Sequence, residues 1–154
     1  MFGVPADTAP IWVGLTVASA VMLGAVLGLT ASAPDAQHAA ATIEEVAAGE
    51  VPGEASVTVR ADSLRIGPDR IGLRGPGGTA HAEIRYGPVT PVQLDSRLER
   101  VLEGTAPAAV FDGEAGFAAA LERAQDRRPT WRSTGGSLRI RAVSYGEVNG
   151  VLVG

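Results

Sequence analysis

In the run Thr79-Ala-His-Ala-Glu-Ile-Arg-Tyr86 polar and apolar residues alternate. An extended strand therefore puts His81, Glu83 and Arg85 on one face and Ala80, Ala82, Ile84 and Tyr86 on the other. A histidine two residues from a carboxylate can serve acid–base chemistry, with the imidazole exchanging a proton near neutral pH and the carboxylate orienting it. The plainer reading is a solvated strand face whose charges pair with a neighbouring strand, and it is preferred here. Arg139 and Arg141 alternate with Leu138 and Ile140 in the same way near the C-terminus. His81, Glu83, Arg85, Arg139 and Arg141 are accordingly taken together as a candidate polar interaction face, not as a catalytic set.

The remaining inventory is spare. The other histidine, His38, falls in an acidic spacer, where an exposed position is expected. There is no cysteine, which excludes disulfides, thiolate zinc sites and a cysteine nucleophile. The sequence holds no nucleophile elbow, zinc-protease or P-loop motif. "RGPGGTA" is rich in glycine, but no lysine or helix follows to hold a phosphate, so it reads as a hairpin turn. Asp95/Glu99 and Glu122/Asp126 sit at i, i+4 among Arg97, Arg100, Arg123 and Arg127, as on exposed helix faces. No catalytic residue, cofactor or metal is expected. All 13 basic residues are arginine, and they meet 11 acids within residues 60–154. That small excess is not the footprint of a nucleic-acid binder. The absence of lysine, with abundant Ala, Gly and Val, points to a GC-rich genome.

The charges divide the 154-residue chain into zones. Residues 1–34 carry only Asp7, and residues 35–59 carry five acids and no arginine. A leader, 1–10, precedes an uncharged apolar stretch, 11–33, long enough to cross a bilayer as a tilted helix. Pro10 suits a helix start, and Trp12 falls at the interfacial level. Ala31-Ser32-Ala33 keeps a cleaved signal peptide open as an alternative, but the leader has no basic residue and the apolar core is long for one. A retained anchor is the preferred reading. The first arginine is Arg60, so the positive-inside rule has nothing to act on. An acidic spacer without a base favours an N-terminus inside and a body outside. Thr16, Ala20, Gly24 and Gly28 form a small-residue stripe on this helix, through which two copies could pack. General enrichment of Gly and Ala in such helices gives the same pattern.

Residues 34–55 read as an acidic stalk: a short helix from Pro34-Asp35, with an apolar face of Ile43, Val46 and Ala47 and a cap at Gly49, then a Pro52-Gly53 hinge. Residues 56–154 read as an α+β extracytoplasmic domain. Period-two alternation over 56–86 implies about four short antiparallel strands. The prolines of "GPVTPV" forbid a central strand there. A helix follows with Leu94, Leu98, Val101 and Leu102 inward. A second one starts at an Asp112 cap, has Phe117, Leu121 and Ala124 inside, and stops before Pro129. A C-terminal hairpin then joins the same sheet. "SLRI" occurs at 63–66 and 137–140, too short a match to make a repeat. The core is expected to gather around Trp131, Phe111 and Phe117.

The N-terminal apolar helix, "GPVTPV", "VLEGTAP" with the following "VF", the tryptophan and "LRIRAVSYGE" with the closing "VLVG" resemble an uncharacterised haloarchaeal family of small, N-terminally membrane-anchored proteins. That resemblance implies an association with pilus-like or type II secretion-like assembly systems and assigns no chemistry. The leading expectation is a single-pass membrane protein of the cell envelope, whose partners are the lipid bilayer and other envelope proteins. A pilin-like subunit packing through its apolar helix is the alternative, although no basic residue marks a prepilin processing site. An envelope enzyme with an unrecognised site comes third.

Overall fold

The computed structural model describes residues 31–49 and 53–154. The leader 1–10, the apolar stretch up to residue 30 and the Thr16, Ala20, Gly24, Gly28 stripe lie outside the described residues. Among the described residues, no helix is long and apolar enough to cross a membrane. Residues 31–33, which the sequence reading placed at the end of the apolar helix, are exposed and not helical. Pro34 accounts for Ala33, because its ring disfavours α geometry in the residue before it.

Asp35 caps the first helix among the described residues, α1 (Ala36–Ala47), by accepting a 2.9 Å hydrogen bond from the His38 backbone N–H. Ala36, Ala39, Ala40 and Ile43 recur at helical spacing and are buried. They pack against strands of both sheets, so α1 is a wall of the core. The expected acidic stalk is therefore corrected: this helix belongs to the body, which runs as one compact unit from Ala33 to Gly154. Asp35, Glu44 and Glu45 lie away from the buried side, which is made of three alanines and Ile43, and the alanines carry little apolar signal. Those small side chains let the helix backbone come close to the sheets.

Among the described residues, eight strands form two four-stranded sheets. The first, in the order β1-β7-β8-β5, comprises β1 (Glu54–Thr58), β7 (Ser137–Tyr145), β8 (Val148–Val153) and β5 (Thr90–Pro91). The second, in the order β4-β3-β2-β6, comprises β4 (Gly78–Glu83), β3 (Arg70–Gly75), β2 (Ser63–Ile66) and β6 (Arg132–Ser133). All pairings are antiparallel except β5 with β8. The fold is α+β as expected, but the single expected sheet is two. The C-terminal hairpin pairs with β1, while β2, β3 and β4 make a meander of their own. Alternation tells which residues of a strand face inward; it carries no information about which sheet the strand joins. Pro91 stands on the β5 edge, where a missing N–H is tolerated.

Two apolar cores follow. One lies between the sheets and under α1, with Leu64, Ile66, Ile71, Leu73, Leu138 and Ile140 at its centre. Both "SLRI" segments thus send their leucine and isoleucine into the same core, one from each sheet. The other lies between the far face of the first sheet and the helices α2 (Arg97–Leu102) and α3 (Glu114–Gln125). Phe117, Leu121 and Ala124 of α3 face inward as expected, and Phe111 packs on Phe117 at 5.5 Å between ring centroids. The α3 cap is Gly113, one residue past the expected Asp112; its φ of 137° suits glycine. Helix α2 starts only at its Ser96 cap, whose hydroxyl accepts the Glu99 N–H at 3.2 Å. Leu94 therefore precedes the helix and is 74% exposed, not inward. Trp131 is also displaced from the expected core: it is half-buried on an outer surface.

Candidate functional site

The sheet register decides which of the proposed face residues meet. On β4, His81 and Glu83 point outward, opposite the buried Ala82. Arg70 of β3 is the cross-strand partner of Glu83, and their side chains form an ion pair of 3.6 Å. Both side chains are more than half exposed, so the pair adds little to stability. The Glu83 carboxylate is thus engaged with Arg70 at the point where an acid–base reading would set it to orient His81. Arg85 follows the end of β4, and its backbone N–H donates to Glu44 Oε1 of α1 at 2.7 Å. Arg139 and Arg141 belong to β7 in the other sheet. The guanidinium of Arg141 donates to the Val101 carbonyl, in the last turn of α2, where a cation is favoured by the helix dipole. The structure brings His81 and Glu83 together and sets Arg139 and Arg141 apart from them.

A different set gathers around His81. Arg65, Gly72 and His81 stand in one cross-strand row over β2, β3 and β4. Trp131 immediately precedes β6, the neighbour of β2. Its indole reaches across to Gly72, where an added Cβ would lie 3.1 Å from Trp131 Cη2 and 2.7 Å from His81 Nδ1. Glycine leaves the gap in which the two rings meet, with centroids 6.0 Å apart. The guanidinium carbons of Arg74 and Arg65 lie 4.2 and 5.1 Å from the Trp131 ring centroid, within cation–π range.

The strand pairing positions this cluster. Leu64 and Ile66 on β2, and Ile71 and Leu73 on β3, are buried. Alternation then forces Arg65, Gly72 and Arg74 to the outside. Arg132, opposite Leu64, turns inward and donates to the Val92 carbonyl at 2.8 Å. Burial pushes its pKa below the usual arginine value, and the nearby Glu99 carboxylate opposes that shift. Arg132 thereby fastens β6, and with it Trp131, to the segment between β5 and α2.

Sequence reasoning missed Trp131, Arg65, Arg74 and Gly72. One local signal was present: a glycine within a strand marks a close approach by another group. The partners themselves are set by β2–β3 and β2–β6 pairing, which is non-local. Beside the cluster, an open groove of about 520 Å³ runs between α1 and the β4 edge, lined by Gln37, Glu44, Arg70, His81, Glu83 and Arg85. Among the described residues, no three His, Asp or Glu side chains come together as a metal site.

An α+β body with an aromatic–arginine surface defines a class by architecture alone. The chain belongs to a family of unknown function (DUF7283), whose profile matches residues 3–143. No curated protein and no solved structure matches it.

Proposed function

We propose that this chain is a single-pass, membrane-anchored, non-enzymatic interaction protein of the cell envelope, with its N-terminus in the cytoplasm and its body outside. The observation that carries the reading is the outward cluster of Trp131, Arg65, Arg74 and His81. It offers a stacking surface and fixed cations, the chemistry of recognition. The anchor rests on residues 11–30, uncharged and 20 in number. The family match supports treating them as part of the protein's common plan, because it starts at residue 3 and spans both the apolar stretch and most of the body. The resemblance to haloarchaeal anchored proteins extends the proposal to an accessory role beside a pilus-like or type II secretion-like assembly.

Crosslinking in intact cells, followed by identification of the partners, tests this function. The body has no lysine, so the reagent must join carboxylates. Capture of envelope components is the expected result, and capture of cytosolic proteins alone would overturn the proposal.

A further inference from the structure

Helix α3 and the chain between β5 and α2 enclose a furrow of about 190 Å³. Ala120, Arg123 and Ala124 line it from one stripe of α3, by their spacing of three and four. Arg127 follows just past the end of that helix, and Gln93 and Arg97 line the other wall. A smaller cleft of about 50 Å³ shares Gln93, Ala124 and Arg127 with the furrow and adds Arg128. Leu98, Phe111 and Ala124 are buried and give the furrow an apolar floor.

The charge along this furrow has one sign. No carboxylate lines either cleft. Among the described residues the one ion pair is Arg70 with Glu83, so Arg97, Arg123, Arg127 and Arg128 have no acidic partner there. Asp95, Glu122 and Asp126 are near in the chain but do not line the furrow, and Glu99 accepts the Asp95 N–H. The guanidinium of Arg97 is held 4.5 Å over the Phe111 ring, in place before a ligand arrives. Arg123, near the end of α3, suits the dipole of that helix. Arg97 opens α2, where a cation is disfavoured, so helix stability does not account for it.

We infer that this furrow docks an acidic segment of a partner protein, with carboxylates set on either side of an apolar residue. Arg97 takes carboxylates from one wall, and Arg123 and Arg127 from the other, through paired N–H donors. The apolar side chain rests on Phe111 and Ala124. The size favours a side chain over a free ligand, since small-molecule sites usually enclose about 300–1,000 Å³. A phosphate-rich polymer would meet the same arginines but leave the apolar floor uncovered. The inference rests neither on the anchor nor on the Trp131 cluster, so its failure leaves both as they stand.

The test uses the full-length chain in non-ionic detergent and short fluorescent peptides, with binding read by polarisation. A peptide of glutamate and leucine should bind, and binding should weaken as salt is raised. The same peptide with serine for leucine should bind several-fold more weakly. Arg123→Gln combined with Arg127→Gln should weaken binding about tenfold, from about threefold for each exposed pair. Both side chains are exposed, so the fold should hold. Arg60→Gln, which removes a charge outside the furrow, should leave binding unchanged. No peptide binding, equal binding of the serine peptide, or a loss in Arg60→Gln as large as in the double variant overturns the inference. Inorganic tripolyphosphate that binds and is lost in the double variant, while the peptide does not bind, overturns it in favour of a phosphate ligand.

Discussion

The indole of Trp131 lies over Gly72, closing the space that any larger residue at position 72 would occupy. The contact joins the residue just before the edge strand β6 to β3 in the middle of the second sheet, and it places two arginines and a histidine around one ring. Gly72→Val should drive Trp131 and His81 apart. In the Trp12→Phe background, Trp131 fluorescence should shift to the red. The urea midpoint should fall by an amount equivalent to about 1–3 kcal/mol, the usual range for overpacking.

Helix α1 provides a second test. Ile43 is fully buried between it and the sheets. Ile43→Ala should cost about 2–5 kcal/mol, as for other core truncations. Chemical denaturation of the detergent-solubilised chain would measure this. A loss of only a few tenths would fit the stalk reading and contradict the packed helix.

Leu94 and Leu98 separate on the same principle. Leu94 is exposed before the Ser96 cap, while Leu98 is buried in the second core. Leu94→Ala should change stability by no more than about 0.5 kcal/mol. Leu98→Ala should lower it by about 2–5 kcal/mol. Equal effects in thermal melts would show that helix α2 begins earlier, with both leucines inward.

These two leucines also show what could be read from the sequence. The apolar period of the helix was visible, but its start was not, because Ser96 and Glu99 set it through hydrogen bonds between neighbours. The strands β2, β3, β4, β7 and β8 were legible from alternation and turns. Their division into two sheets was not, since pairing is decided by contacts distant in sequence. Glu44, Glu45 and Asp35 made α1 look like a solvated stalk, although Ala39, Ala40 and Ile43 bury its other side. Of the candidate site, His81 and Glu83 were found from their own strand. Trp131 reads from the sequence as a core residue, since large aromatic residues are usually buried, whereas its neighbours in the fold, Arg65 and Arg74, lie more than fifty residues earlier in the chain.

The small-residue stripe yields a prediction for the proposed anchor. Gly24→Leu combined with Gly28→Leu should abolish self-association in bilayers, measured by energy transfer between labelled copies, and leave insertion intact. Association that survives both changes would mean that the stripe reflects composition alone.

The most direct test of the account is the fate of the full-length chain in its native cells. Carbonate-washed membranes should retain it whole, and protease added outside intact cells should remove the body while sparing the apolar segment. Recovery of the chain in the soluble fraction would contradict the account.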